Sequence, residues 1–312
     1  MTDLILHHYP PSPVAEKVRA ALGIKKLAWR SVEHNRLPDR PELFAMTGGY
    51  RRIPVMQVGA DMYCDSQCIL REIERRHPSP TFFPGPGKGM PWGVSRWTDG
   101  PLFELMFRIA FAPAVDTLPP ALVADRARLY LGPGGDLKKE LADLPHTLAQ
   151  LRGQLGWLDN QMMSGKKFLT AEEPSLADAA VWHLIWFFRA RYAGQAEFMS
   201  EFKHLAAWEE RMKALGHGKP EPMTAAEALA LAKAAEPATP QKTDPRDPQG
   251  IKPGMKVSVV AVAVADNGDK PIEGVVHAVD RETIVLNRED PSCGRMAVHL
   301  PRVGYRVTRR AD

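Results

Sequence analysis

The sequence predicts an α/β domain at the N-terminus, an all-helical bundle after it, and a small all-β barrel at the C-terminus. Strand and helix patterns alternate first, apolar residues then recur every three or four positions, and β-branched residues in alternation return near the end. With 312 residues, the chain is long enough for two or three globular cores. The predicted segments are an α/β domain (1–85), a helical domain (90–216), a helix with a proline-rich linker (223–249) and a β-barrel (250–312).

The α/β domain begins with "LILHHY", an apolar run typical of a short strand. "PVAEKVRAALGI" has apolar residues at helical spacing, and "AWRSVEH" alternates like a strand. "PVMQV" and "DMYC" predict a hairpin around Gly59. A helix is expected to follow, from Asp65 or Ser66 to about His77.

Helical spacing dominates from Pro91 to about Leu215, which predicts the bundle. Within it, Ser175 followed three residues later by Asp178 is typical of a helix start with a capping box. The run "AAVWHLIWFF" that follows is apolar nearly all round. We therefore expect this helix to be the buried centre of the bundle.

The C-terminal part changes in composition. A helix capped by Thr224 is expected first, and the proline-rich stretch from Pro237 to Gly250 is typical of a linker. The remaining residues carry alternation and turn signals for about five short strands, which we expect to close as a small barrel. The sequence indicates no site in this barrel.

Composition and charge limit the classes of partner. The net charge is only +4, and Lys and Arg are interleaved with acids, so we expect no nucleic-acid partner and no membrane surface. No stretch approaches the ~20 apolar residues of a membrane span, and no signal peptide is recognisable. Three cysteines in a chain of this length indicate reduced thiols, which favours a cytoplasmic location.

The stretch "HHYPPSPVAEKVR" stiffens one strand-to-helix corner with three prolines. Pro13 occupies the first helical position, where its missing N–H costs nothing, and Ser12 precedes it as the cap. The first-turn N–H groups and the helix dipole favour an anion beside Ser12. The corner therefore predicts a site for a carboxylate, a phosphate or a thiolate.

Three segments in this order carry a resemblance to a known family: "YPPSPVAEKVRAAL", "RIPVMQVGADMYCDSQCILREI" and "SLADAAV". From residue 4 to about 215 the chain resembles the glutathione transferases, which join a thioredoxin-like domain to an all-helical domain. The resemblance implies glutathione as co-substrate, no metal, and a homodimer formed through the N-terminal domain and the first helices of the bundle.

The resemblance also implies a glutathione-binding site. It implies that Pro54 is cis and that the backbone of Ile53 pairs with the cysteinyl part of glutathione. Asp65 and Ser66 are expected to hold the γ-glutamyl group, the acid taking its ammonium. The family more often has Glu where Asp65 stands, and capping of the helix alone would also explain both residues.

Ser12 is the predicted catalytic residue, because a hydroxyl at a helix N-terminus can donate to the glutathione sulfur and lower the pKa of its thiol. Tyr9 is the alternative, since some members use a tyrosine at the end of the first strand. A plain cap is the other explanation for Ser12. No cysteine stands at this helix start, which argues against disulfide exchange.

The other potentially reactive side chains have structural interpretations. Cys64 and Cys68 are expected to be buried, inert thiols. His7 and His8 are adjacent on a strand and point to opposite faces, which argues against one metal ion bound by both.

The function that follows is a glutathione transferase, which activates the thiolate for attack on a small apolar electrophile. The alternatives are a non-catalytic protein that binds glutathione or an apolar ligand, and a dimeric scaffold whose C-terminal barrel binds a partner. One set of side chains could line the electrophile site or pack in the core. These are Trp97, Phe103, Met106, Phe107 and Phe111.

Overall fold

The computed structural model describes residues 3–238, 243–262 and 268–310. The strands in these ranges are β1 (Ile5–His8), β2 (Ala28–Glu33), β3 (Val55–Val58), β4 (Asp61–Cys64), β5 (Lys219–Pro222), β6 (Lys256–Ala261), β7 (Ile272–Val279), β8 (Thr283–Asp290), β9 (Gly294–Pro301) and β10 (Tyr305–Arg309). The helices are α1 (Pro13–Ile24), α2 (Pro41–Thr47), α3 (Asp65–Arg76), α4 (Gly89–Thr98), α5 (Pro101–Phe111), α6 (Pro120–Leu131), α7 (Leu137–Ala142), α8 (Leu144–Met162), α9 (Leu176–Arg191), α10 (Gln195–Met199), α11 (Lys203–Leu215) and α12 (Ala225–Lys233).

Two helix starts show why the local sequence signals were reliable. The Asp178 carboxylate accepts the backbone N–H of Ser175 at 2.8 Å and its hydroxyl at 2.6 Å, so the predicted capping box opens α9. The Glu227 carboxylate binds the backbone N–H and hydroxyl of Thr224 in the same way before α12. Both caps satisfy donors that the first helical turn would otherwise leave without partners.

The strands form one sheet in the order β10-β6-β7-β8-β9-β4-β3-β1-β2-β5. β1 runs parallel to β2 and antiparallel to β3, and β3 forms the predicted hairpin with β4. β9 then pairs with β4 in parallel, with Asp61 opposite Ala297 and Tyr63 opposite His299. The C-terminal strands therefore continue the N-terminal sheet at the β4 edge.

The chain divides into two compact units. Unit 1 comprises Met1–Ala15, Ala28–Arg75 and Pro220–Asp312, and unit 2 comprises Glu16–Leu27 and Arg76–Lys219. The C-terminal strands thus share a unit with the first strands of the chain. The four domains expected from the sequence follow changes in composition instead, and their boundaries stay predictions.

The interior of unit 1 is shared between N-terminal and C-terminal segments. One apolar cluster contains Leu43 and Met62 from the N-terminal part together with Val259, Ile272 and Leu286 from the C-terminal strands. All five side chains are almost completely buried. Hydrophobic burial therefore joins the two segments into a single core.

The C-terminal β-domain, residues 250–310, contains the five strands β6 to β10, as predicted. Among the described residues, β9 pairs with both β8 and β4, and β10 pairs with β6. Residues 239–242 of the expected linker and residues 263–267 of the expected strand region lie outside the described residues.

Unit 2 is helical, and twelve of the sixteen residues of α9 are buried, as expected from its apolar sequence. Asp178, fully buried, accepts two further hydrogen bonds, from the Trp208 indole and the Leu169 backbone N–H, both at 2.8 Å. Four of the five side chains considered for the electrophile site belong to α5 and are internal. They are Phe103, Met106, Phe107 and Phe111. Core packing explains these four side chains, while Trp97 is half-buried and donates to Gln154.

Candidate functional site

Three segments assigned to a glutathione site from the sequence lie at the same end of the sheet in unit 1. His7 of β1 is paired with Val55 of β3, and Val55 is paired with Cys64 of β4. Both pairings are antiparallel, so the end of β1, the start of β3 and the end of β4 lie side by side. The loop after β1, the Ile53–Pro54 segment and the start of α3 are therefore neighbours.

Ser12 is buried at the N-terminus of α1. Its hydroxyl oxygen accepts the Ala15 backbone N–H at 3.2 Å, and its own N–H donates to the Tyr9 carbonyl at 3.1 Å. The hydroxyl thus has the capping position expected from the sequence, at the end of the helix where the dipole favours negative charge.

Tyr9, the alternative to Ser12, is half-buried in the same loop. The guanidinium carbon of Arg40 lies 6.0 Å from the centre of its ring, and Arg40 donates to the carbonyls of Asn35 and Arg51 at 2.8 Å. A buried cation therefore lies close to Tyr9, and the site has two candidate hydroxyl donors.

The Ile53–Pro54 bond is cis, the geometry that the resemblance implied. Ile53 is partly buried and packs against the shared core cluster of unit 1. The preceding residue, Arg52, donates from Nε to the Asp269 carboxylate of the C-terminal β-domain at 2.8 Å. Burial alone would lower the pKa of Arg52, but the Asp269 carboxylate raises it above its usual value.

Asp65 and Ser66 begin α3 directly after β4. The backbone of Asp65 has φ of 72°, in the left-handed region. Residues other than glycine seldom adopt this conformation, although Asp tolerates it better than most. Its Oδ1 accepts the Gln67 backbone N–H at 2.9 Å. Ser66 is buried beside it. An unusual backbone at a helix N-terminus is typical of sites where a side chain must be held in a fixed direction.

The second carboxylate oxygen of Asp65 is engaged by the C-terminal β-domain. The Tyr305 hydroxyl donates to Asp65 Oδ2 at 3.0 Å, and the Tyr50 and Tyr305 hydroxyl oxygens are 2.8 Å apart. Burial and the negative charge of Asp65 raise the pKa of both tyrosines well above the usual value, so both keep their protons. Nothing in the local sequence around Tyr305 signals this contact.

A histidine cluster lies beside the end of β1. His7 Nδ1 is 3.0 Å from His34 Nε2, and His7 Nε2 is 3.0 Å from Gln57 Oε1. Burial lowers the pKa of His7 to about 3, with the neighbouring His34 as the second cause, and burial together with Arg40 lowers that of His34 to about 4. Both rings are therefore neutral at pH 7. The sequence placed His7 on a strand but did not predict this cluster.

Cys64 and Cys68 are buried, as the sequence predicted, and Cys293, for which it made no prediction, is buried as well. Cys64, Cys68 and Cys293 are free and buried, and burial raises the pKa of each thiol. A neutral, buried thiol is a poor nucleophile and a poor metal ligand. Across the described ranges, no group of three His, Cys, Asp or Glu side chains could hold a metal ion. The same ranges contain no helix long and apolar enough to cross a bilayer.

Two family descriptions match the chain. "Glutathione S-transferase, N-terminal domain" matches residues 6–81, and "Glutathione S-transferase, C-terminal domain" matches residues 124–211. Among solved structures, a GST-like protein from Pseudomonas syringae is 33% identical with a TM-score of 0.81. That similarity covers 99% of this chain and 100% of the other, so it includes the C-terminal β-domain.

Two other solved structures share the fold at lower identity. A glutathione transferase from Phanerochaete chrysosporium is 17% identical, with a TM-score of 0.58, over 68% of this chain and 97% of that one. A glutathione S-transferase from Rhodospirillum rubrum is 18% identical, with a TM-score of 0.52, over 68% of this chain and 88% of that one. No curated protein matches the chain significantly.

Proposed function

Since the chain belongs to the glutathione S-transferase family, we propose that it binds glutathione and activates its thiol for attack on a small apolar electrophile. The observation that carries the proposal is the strand register of unit 1. It brings the loop after β1, the Ile53–Pro54 segment and the start of α3 to one end of the sheet. A ligand with a thiol, a peptide backbone and a charged amino-acid end can contact all three segments together.

Each segment has a distinct task in this proposal. Ile53 pairs through its backbone with the cysteinyl part of glutathione, beside Pro54. Asp65 takes the γ-glutamyl ammonium and Ser66 its carboxylate, helped by the N–H groups that open α3. The Ser12 hydroxyl keeps its proton and donates a hydrogen bond to the sulfur, whose own proton is released to water, and the α1 dipole adds to the preference for the thiolate.

The proposed activation has a defined free-energy cost. A free thiol has a pKa of ~8.5, and lowering it by two units needs ~2.7 kcal/mol of preferential binding to the thiolate. A hydrogen bond to a charged acceptor contributes ~1.5–3 kcal/mol, and a helix N-terminus ~0.3–1 kcal/mol. Ser12 at the start of α1 is therefore sufficient, and no metal is needed for this step.

The test compares three variants of the full chain with a generic aryl halide and glutathione at pH 6.5. Ser12→Ala should lower kcat/KM about fiftyfold if the thiol pKa returns from ~6.5 to ~8.5. Ser12→Thr keeps a hydroxyl and should retain most of the activity, and Tyr9→Phe should change it little. A large loss in Tyr9→Phe with normal turnover in Ser12→Ala would transfer the role to Tyr9.

A second candidate function is supported by the contact between Tyr305 and Asp65. Because Asp65, the proposed partner of the γ-glutamyl ammonium, already accepts a hydrogen bond from Tyr305, the protein could bind glutathione or an apolar ligand without turnover. Glutathione binding in calorimetry, combined with no conjugation of several aryl and alkyl electrophiles by any variant, would favour this non-catalytic function.

A further inference from the structure

We infer that the C-terminal β-domain keeps the candidate γ-glutamyl subsite closed through Tyr305, whose hydroxyl lies on Asp65 where the ligand's ammonium would bind. The inference rests on the proposed function for the identity of the ligand. The closure itself rests on contacts within unit 1.

The hydrogen-bond directions are fixed by the chemistry of the groups. An ionised Asp65 carboxylate only accepts, so the Tyr305 hydroxyl must be the donor in the 3.0 Å contact. Because the single hydroxyl hydrogen of Tyr305 points to Asp65, the Tyr50 hydroxyl must be the donor in its 2.8 Å hydrogen bond to the Tyr305 oxygen. Asp65 Oδ1 accepts the Gln67 N–H on its other side. Both carboxylate oxygens therefore have protein donors in this arrangement.

Contacts around this hydrogen bond hold the C-terminal β-domain in place. Gln67 Nε2 donates to the carbonyl of Val303, two residues before Tyr305, at 3.2 Å. A second contact is the ion pair between the Arg52 guanidinium and Asp269. Both protein partners, Gln67 and Arg52, lie within two residues of predicted glutathione ligands.

Closure of this kind is a competition. An ammonium group on Asp65 would add the attraction between two opposite charges to the hydrogen bond, whereas Tyr305 donates to the same carboxylate as an uncharged group. Glutathione can therefore displace Tyr305, but its apparent affinity is reduced by the fraction of molecules that are closed. The C-terminal β-domain would thus set the glutathione concentration at which the protein works.

The test uses three variants of the full chain and calorimetric titration with glutathione. Tyr305→Phe keeps the ring and removes the donor, so glutathione should bind about tenfold more tightly than to the unaltered protein. Asp269→Asn weakens the second contact and should act in the same direction. Tyr63→Phe is the matched control, because Tyr63 also donates to a carboxylate, but to that of Glu72 at 2.9 Å. It should leave the affinity unchanged.

Weaker binding by Tyr305→Phe would overturn the inference, because Tyr305 would then be a ligand that assists glutathione. Equal affinity for the unaltered protein and Tyr305→Phe would also overturn it. Tighter binding without any conjugation would support the closure and contradict the transferase reaction.

If no variant binds glutathione, the proposed function fails. Amide hydrogen exchange then tests whether Tyr305 closes the Asp65 subsite, because it needs no ligand. Faster exchange at residues 50–53 and 65–67 in Tyr305→Phe, but not in Tyr63→Phe, would support the closure. Equal exchange in both variants would overturn it.

Discussion

His299 Nε2 of β9 forms a 2.7 Å hydrogen bond with the Asp61 carboxylate of β4. This bond links two strands that pair in parallel. The imidazole also stacks on Tyr63, with 4.2 Å between ring centres. Asp61 is almost completely buried, and its other oxygen accepts the Ala238 backbone N–H at 2.9 Å. One histidine therefore satisfies a buried acid and covers an aromatic ring.

We predict that His299→Ala destabilises unit 1 by about 2–4 kcal/mol, because it leaves a buried carboxylate oxygen without a donor and removes the stacked ring. Denaturant unfolding followed by circular dichroism measures the change. His277→Ala on β7 is the control, since His277 contacts the exposed Asn287, and it should cost less than about 1 kcal/mol. Equal losses in the two variants would contradict the role given to His299.

A second prediction concerns pH and the His7 cluster. The folded-state pKa of His7 is lowered to about 3 from an ordinary value of 6.5. Between these values the unfolded chain binds a proton that the folded chain does not, so stability falls as the pH is lowered from about 6.5. His7 alone contributes a slope of up to about 1.4 kcal/mol per pH unit. Urea unfolding at several pH values between 7 and 4 measures it.

His7→Gln separates this effect from the other titrating groups. Glutamine cannot take up the proton, so the slope between pH 6.5 and 4 should become shallower in the variant. His34 and Arg40 stay in place in this variant, and His34, whose pKa is lowered to about 4, still contributes to the remaining slope. A slope that is unchanged in His7→Gln would mean that the cluster does not govern the acid sensitivity.

The third prediction concerns Asp178, at the start of α9. Asp178→Ala should destabilise unit 2 by about 3–5 kcal/mol, because its carboxylate accepts hydrogen bonds from Ser175, Leu169 and Trp208 in a fully buried position. Thermal unfolding by calorimetry measures the loss. The comparison is Asp136→Ala, which removes the exposed cap of α7 and should cost about 1 kcal/mol. Similar melting temperatures for the two variants would contradict the prediction.

The fourth prediction is a homodimer that forms through the N-terminal domain and the first helices of the helical domain. Family resemblance implied this association, and two-fold dimers are the commonest soluble oligomers. Sedimentation equilibrium at micromolar concentration should give twice the mass of the 34.6 kDa chain. A single species of the monomer mass over that range would refute the prediction.

The elements that the sequence predicted well are those encoded by neighbours in the chain. The first strand and helix, the hairpin at Gly59 and the helix starts at Ser175 and Thr224 depend on local periodicity, turn residues and caps. Such signals are contained within a dozen residues, so one sequence is enough to find them.

The contacts that the sequence did not predict join residues far apart in the chain. Tyr305 meets Asp65, and His299 meets Asp61, through a parallel pairing of β4 with β9 that no local pattern encodes. His7 was placed on a strand, but its contact with Gln57 depends on the register between strands. The alternation of apolar and polar residues predicts which face of a strand is buried. It does not predict which strand it pairs with, since many strands have the same alternation.

The parallel junction of β4 with β9 also has a consequence for synthesis of the chain. Asp61 and its partner His299 are 238 positions apart. At ~5–20 residues per second, the ribosome needs roughly 10–50 s to make the intervening chain. During that time β4 is an edge strand, with unpaired N–H and C=O groups open to other nascent chains. Chaperone demand and aggregation during expression should therefore depend on how quickly β9 emerges.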